Sequence, residues 1–330
     1  MAKCMTDTIN LTSVADAIRT KGGTSAQLIY PSGFVSAIQA IQTGITPKLV
    51  VTTTPGAAIT ATPAEGFKVV KGTAGADGMC TLELPKAGTW HVTAMANSVS
   101  NSQNIVIGTQ NMILPLYHDT FANNTWEEII TVCRTGIAPD SWAVGDSKTM
   151  NIGGTAYQVD IIGKNHDEYA DGSGTAPLTF QLHDCYSEAK QMYSTNLSGL
   201  GWKNTDMRLT YLPAILALMP AEVQNGIRAV NKKTSEGGNS TTIEMVSDTL
   251  FLLSEVEIFG TASSSVAGEG SQYDYYKAGN PKIKKREGVD EFWWERSSAS
   301  GGMFCRVRAN GQAGASNASN SLGVSFAFCF

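Results

Sequence analysis

The residues best equipped for acid–base or metal chemistry are scattered along this chain. Four histidines, His91, His118, His166 and His183, stand far apart, and His166 has the most suggestive surroundings, Lys164-Asn165-His166-Asp167-Glu168. An imidazole beside carboxylates could act as a general base or bind a metal. The same residues suit a loop whose Asn, His and Asp bond the local backbone, and that reading is carried forward. Residues 167–172 hold two aspartates and a glycine, faintly like a calcium loop, but the spacing is not that of an EF-hand. The six cysteines, Cys4, Cys80, Cys133, Cys185, Cys305 and Cys329, form no CxxC pair. A zinc site is therefore not expected. They read as buried thiols acting as small hydrophobes, although Cys305 and Cys329 could meet across neighbouring strands. There is no Walker loop, no GxGxxG after a strand and no HExxH. We expect no catalytic residue, no metal and no cofactor.

Binding chemistry is better represented. Trp293-Trp294 would point to opposite faces of a strand, one into a core and the other into a core or toward a ligand, and Glu295-Arg296 follows them, each expected to make a cross-strand ion pair. Residues 297–322 are then mostly Ser, Gly, Ala and Asn, with Phe304, Cys305 and Val307 as a short apolar strand and Gly311 as its turn. An apolar stretch over 324–330 would pin this segment to a core at its far end. Small polar residues on a rigid frame suit an adaptable recognition surface. Arg306 and Arg308 add planar donors for carboxylates or sugar hydroxyls, and they flank Val307, so they should face away from it.

The elements that must hold this segment can be read from periodicity. The chain has 330 residues, 42% hydrophobic and only 16% charged, with a net charge of −5. That is enough apolar material for real cores and too little positive charge for a nucleic-acid partner. No apolar run reaches membrane-spanning length, and the first residues lack the apolar run of a signal peptide. Over 1–45 two short helices are expected. Thr12 or Ser13 would cap one carrying Val14, Ala17 and Ile18, and Pro31-Ser32 would open another with Phe34, Ala37, Ile38 and Ile41. Over 46–118 the pattern turns to period two: Leu49 and Val51, then Cys80, Leu82 and Leu84, then Trp90, Val92 and Ala94. Turn residues between these runs suggest a small β-sandwich. Over 119–330 both periods mix. Thr125 with Glu128 spells a capping box, Gly153-Gly154 a hairpin turn, and 178–182 a strand. Helices are expected over 213–219 and 222–230, and 249–253 reads as a buried strand leading into 254–258. The fold class is α+β and multidomain.

Phe292-Trp293-Trp294-Glu295-Arg296-Ser297, then Phe304-Cys305, Val307, Gly311, Ala318-Ser319, Ser321 and Gly323-Val324, resemble the C-terminus of phage tail and prophage proteins of Gram-positive gut bacteria. Further similarity lies at 163–167, 230–234, 252–256 and 276–280, so the resemblance covers most of 119–330. Those proteins usually read Trp-Trp-Leu-Arg-Ser, and Glu295 departs from that leucine, which would put a charge on an exposed strand face. The resemblance implies a C-type lectin-like fold whose C-terminal segment, here 297–322, is in some members the target of a diversity-generating retroelement. It implies scaffold positions at Trp293, Trp294, Phe304, Val307, Gly311, Gly323, Val324 and Phe326. Ligand contacts would then fall at Ser298, Ser300, Met303, Arg306, Arg308, Asn310, Gln312, Ser316, Asn317 and Asn320. Residues 11–23 are similar to the start of many phage tail-fibre proteins, and 46–118 resembles a carboxypeptidase-regulatory or bacterial Ig-like module.

The function the resemblance implies is that of a tail adhesin in a virion, assembled in the host cytoplasm. It would bind a host surface receptor, protein or glycan, through the variable tip and other tail proteins through the N-terminal segment. A homo-oligomer, with a trimer as one form, would raise avidity. The alternatives are a structural tail component, or a lectin-fold enzyme acting on cell-wall glycans. The enzyme would need paired carboxylates in a cleft or a reactive cysteine pair.

Overall fold

Alternating apolar residues form strands wherever turn residues punctuate them, and this pattern builds residues 48–113 of the protein. A computed structural model describes residues 8–22, 27–29, 33, 37, 46–64, 66, 68–97, 99–107 and 110–330. Two compact units emerge, Met1–Tyr117 and His118–Phe330, and the whole is a multidomain α+β protein.

In the first unit, helix α1 (Thr8–Gly22) starts before the expected caps, so Thr12 and Ser13 lie inside it. It buries Ala15 and Ile18, while Val14 is exposed. The expected face of Val14, Ala17 and Ile18 is thus corrected: an i, i+3 pair one residue out of phase packs with Leu28 and Ala37 instead. Of the second expected helix only Gly33 and Ala37 lie among the described residues, and both are helical; its other positions lie outside them. Seven strands follow: β1 (Lys48–Thr52), β2 (Ala58–Pro63), β3 (Val70–Thr73), β4 (Met79–Glu83), β5 (Gly88–Ala96), β6 (Val99–Ile107) and β7 (Gln110–Ile113). They form two sheets, ordered β4-β1-β7 and β3-β2-β5-β6. Leu49, Val51 and Leu82 from one sheet share a core with Ile59, Trp90 and Val92 from the other. Every apolar residue of the period-two runs named from sequence is buried.

The second unit is organised by a five-stranded sheet, ordered β13 (Leu250–Phe251), β19 (Ala327–Cys329), β10 (Leu178–Leu182), β9 (Thr155–Lys164) and β8 (Ser147–Ile152). Helix α2 (Trp126–Arg134) opens on a capping box in which Thr125 accepts from the Glu128 N–H and Glu128 accepts from the Thr125 N–H. Strands β8 (Ser147–Ile152) and β9 (Thr155–Lys164) form the expected hairpin. Its turn places Gly153 at φ +58° and Gly154 at +86°, which needs residues free of a Cβ. Strand β10 (Leu178–Leu182) pairs with β9 on one side and with β19 (Ala327–Cys329) on the other. The strand expected over 324–330 is shorter than its apolar run, although every residue from Gly323 to Phe330 is buried.

Helix α3 (Leu212–Leu216) follows a π-helical turn, Met207–Tyr211, and buries Ile215. The helix expected over 222–230 is α4 (Ala221–Gly226), because Val230 already begins β11 (Val230–Ser235). Gly226 is tolerated in α4 because α2 comes close: a Cβ there would lie 2.5 Å from Ile130 Cδ1. Strand β11 pairs with β12 (Ile243–Asp248). The buried strand expected over 249–253 reduces to β13 (Leu250–Phe251). Ser254 then caps helix α5 (Glu255–Phe259) through a second capping box, with Glu257. Helix α6 (Asp274–Lys277) and the ribbon β14 (Lys284–Arg286) and β15 (Val289–Glu291) lead to the last sheet. That sheet runs β16 (Trp293–Ser298), β17 (Met303–Val307), β18 (Ala313–Asn317).

Candidate functional site

Strand β16 is buried along its whole length. Trp293 donates its indole N–H to Lys282 O at 2.9 Å and Trp294 donates to Lys190 O at 2.8 Å. Both rings are fully buried, so neither faces a ligand. Phe304, Val307, Val324 and Phe326 are also fully buried and Gly323 is enclosed, while Gly311 sits at the β17–β18 turn, where its N–H bonds Arg308 O.

Charge is buried beside this frame. Arg296 forks onto Glu257, with Nη1 on Oε2 and Nη2 on Oε1 at 2.9 Å, and donates to Leu252 O and Lys233 O. Lys232 lies between Glu257 at 2.8 Å and Asp167 at 2.7 Å, and Asp167 also accepts from Thr179 and Tyr273. Burial pushes the carboxyls of Asp167 and Glu257 up, but the Lys232 charge at Asp167 and the Arg296 and Lys232 charges at Glu257 hold both below the usual carboxylate range. A cleft of about 280 Å³ opens over this network, lined by His166, Asp167, Lys232, Glu257 and neighbours. Its two buried carboxylates are committed to cations. His166 stacks on Tyr273 with ring centroids 3.9 Å apart.

Glu295 overturns an expectation. Expected on an exposed strand face, it is fully buried, and neither carboxylate oxygen has a hydrogen-bond partner. Burial and the nearby carboxylates of Glu255 and Glu269 raise its pKa well above the ordinary value, so its neutral, protonated form is favoured there. Glu255 goes the other way: burial raises it, but hydroxyls of Ser263 and Ser265 and the N–H groups of Ser264 and Ser265 outweigh this and hold it ionised. Cys305 lies on Glu255 at 3.8 Å, and Cys329 on Asp167 at 3.7 Å and Thr179 at 3.5 Å. These two thiols therefore sit in different surroundings; both are free, as are Cys80, Cys133 and Cys185.

The β17–β18 hairpin carries most of the expected contact positions. Arg308, Asn310, Gln312, Asn317 and Asn320 are exposed, as is Ser300 in the turn before β17; Met303, Arg306 and Ser316 are half-buried. Ser298 is corrected: it is 1% exposed with an unpartnered hydroxyl. It ends β16, in which both faces are enclosed, so either side of the strand would bury it. The remaining positions divide between two faces. Register puts Met303 opposite Asn317, and Arg306 opposite Gly314, and adjacent pairs alternate sides.

Arg306 and Arg308 share one side. Arg306 donates from Nε to Ala315 O at 3.1 Å and lays its guanidinium over the Phe292 ring, 4.1 Å from the centroid. Arg308 donates from Nε to Ala313 O at 3.1 Å and lies across Gly314, where a Cβ would come within 2.8 Å of its Nε. The turns beside the hairpin are tied to a rim over residues 195–201. Ser319 donates to Asn196 Oδ1 at 2.6 Å and Ser198 to Ala299 O at 2.8 Å. Gly302, at φ +76°, passes so near Asn196 that a Cβ would lie 2.4 Å from its carbonyl oxygen.

Sequence reading gave no role to Phe292, Gly314, Asn196 or Lys232. The cross-strand ion pairs expected of Glu295 and Arg296 are corrected: Arg296 pairs with Glu257 of helix α5, and the Glu295 oxygens have no hydrogen-bond partner. Gly314 carries a trace, since it sits between alanines in the strand paired with the two arginines. Asn196 leaves no local signal.

Residues 179–330 match a family described as a domain of unknown function, DUF6273. No curated protein and no solved structure matches the chain. Among the described residues, no helix is long and apolar enough to cross a membrane.

Proposed function

We propose that this chain is a phage tail adhesin that binds a host-cell surface receptor through the β17–β18 hairpin and its flanking turns. One observation carries the reading. A wholly buried strand, β16, fixes a hairpin whose outward positions are small, polar or arginine. Such a surface can change its side chains without disturbing the frame that holds it. Within this reading, the second unit is a C-type lectin-like receptor-binding domain with 297–322 as its variable segment. The two-sheet module is then an Ig-like spacer, and the N-terminal helical segment attaches to other tail proteins and supports oligomers.

The test is host-cell binding by the full chain, together with competition against infection. The expected result is saturable binding and protection of the host. Protein that neither binds cells nor blocks infection would favour a structural tail role instead. A comparison of the gene across sister phages tests the variable segment. Substitutions concentrated in 297–322 support it, and an even spread over 119–330 sinks it.

A further inference from the structure

Residues 297–322 contain two arginines and no aspartate or glutamate. Among the described residues, neither Arg306 nor Arg308 has an ion-pair partner, and no acceptor is bonded to the Nη atoms of either. Each guanidinium is instead held by Nε to a carbonyl of β18, Ala315 O for Arg306 and Ala313 O for Arg308. This restrains each group and leaves its terminal fork free to bond, with Arg308 exposed and Arg306 half-buried. Phe292 supports one fork from beneath. Gly314, directly opposite Arg306 in register, supplies the side-chain-free floor on which Arg308 lies. Two like charges thus sit on one side of the hairpin, and among the described residues no carboxylate pairs with either. Burial and the Arg308 charge both lower the Arg306 pKa, the repulsion that an arriving anion would relieve.

We propose that Arg306 and Arg308 form a preorganised seat for an anionic group of the receptor, a carboxylate or a phosphate. Guanidinium forks match the planar, two-oxygen geometry of both. Their immobilisation by Nε removes part of the ordering cost of binding. The ligand class is therefore an acidic surface polymer, in which one charged unit enters the seat and neighbouring hydroxyls meet the small polar residues around it. The assignment rests on the adhesin reading only for the source of the anion.

The experiment uses the full chain and three polymer probes: poly(glycerol phosphate), polygalacturonate and neutral dextran. Binding to at least one acidic polymer and not to dextran is expected, and a preference between the two tells phosphate from carboxylate. Arg306→Ala with Arg308→Ala should weaken that binding about tenfold or more, the loss expected for charge-assisted hydrogen bonds. Arg306→Lys with Arg308→Lys keeps both charges but loses the forks, and should weaken it nearly as much. Gly314→Ala leaves both arginines in place and displaces Arg308, so it should also weaken binding while the melting temperature stays near that of the parent. Equal affinity for dextran, or retention of acidic-polymer binding by all three variants, overturns the seat. Host-cell binding that survives in all three variants overturns it too and leaves the adhesin reading standing. Arginine-dependent polymer binding without host-cell binding supports the seat and fails the adhesin reading.

Discussion

Arg296 of β16 and Glu257 of α5 meet fork to fork inside the second unit, Nη1 on Oε2 and Nη2 on Oε1. The arginine is 0% and the glutamate 2% exposed. Removing Glu257 would leave the buried arginine without a counter-charge, and removing Arg296 would leave Glu257 with Lys232 alone; breaking a buried pair typically costs about 3–5 kcal/mol. Glu257→Gln and Arg296→Ala should each lower stability by about that much in urea titrations. Arg296→Lys should recover little, because an ammonium cannot reach both oxygens and the carbonyls of Leu252 and Lys233 together. A Glu257→Gln protein within about 1 kcal/mol of the parent, well short of that range, would show that the pair does not anchor β16.

The same network sets an acid limit. Burial opposes ionisation of Asp167 and Glu257, but the Lys232 charge on Asp167 and the Arg296 and Lys232 charges on Glu257 depress both pKa values. A depressed carboxyl is ionised in the folded protein at pH values where the unfolded chain has begun to bind protons. Its contribution is present above the ordinary carboxylate range and is lost as pH falls through the folded value. Stability should therefore drop below about pH 4, the ordinary carboxylate range. Asp167→Asn should flatten that drop while lowering stability at neutral pH. A pH series of thermal melts measures both, and an unchanged acid slope in the variant would remove Asp167 from the account.

Glu295 should behave with the opposite sign. Burial and the carboxylates of Glu255 and Glu269 raise its pKa, so the folded protein keeps a proton that the unfolded chain releases. That carboxyl favours folding less and less as pH rises from the ordinary glutamate range through the folded value. Glu295→Leu removes two unpartnered buried oxygens. It should stabilise the protein at pH 7 by about 1–3 kcal/mol, the penalty for such groups, with the gain shrinking toward pH 4. A destabilising substitution at pH 7 would mean that Glu295 has a partner in solution.

These charged residues show where sequence stops being informative. Features set by neighbours in the chain were legible: the Thr125–Glu128 capping box, the Gly153-Gly154 turn, and the alternation of Leu49, Val51, Trp90 and Val92 that forms the core of the first unit. The helix after Ser254 was spelled by the same Ser-x-x-Glu signal, but the apolar run before it hid the start. By contrast, Lys232 finds Asp167, and Arg296 finds Glu257, only once distant segments pack together. Nothing within a few residues of either cation announces that it will be buried. Ser298 was misplaced for a related reason: whether both faces of β16 are covered depends on distant segments, and all six of its residues are buried. Of the hairpin, the outward arginines followed from alternation. The Phe292 platform and the Gly314 floor required the cross-strand partners.

Phe180 decides how much chain the second unit needs. It sits in β10, the second residue of the DUF6273 match over 179–330. Its ring packs on Phe328 and Phe330, with centroids 5.3 Å away in each case, which lie inside the match. It also packs on Phe121 at 6.0 Å and Trp126 at 6.1 Å, which lie outside it. Strand β10 is hydrogen-bonded to β9 along its length, and β9 to β8. Cutting before residue 179 would remove two strands and helix α2. That would leave one edge of β10 unpaired and the faces of Phe180 and Phe330 toward Trp126 open to water, a configuration that invites aggregation. Residues 118–330 should therefore express as a soluble protein with one cooperative thermal transition. Residues 179–330 should be insoluble or melt without cooperativity. Within the longer piece, Phe180→Ala should cost about 3–5 kcal/mol, as for other buried aromatics. A cooperative transition from 179–330 alone, at a temperature close to that of 118–330, would show that the sheet closes without β8 and β9 and that the unit is smaller than the fold implies.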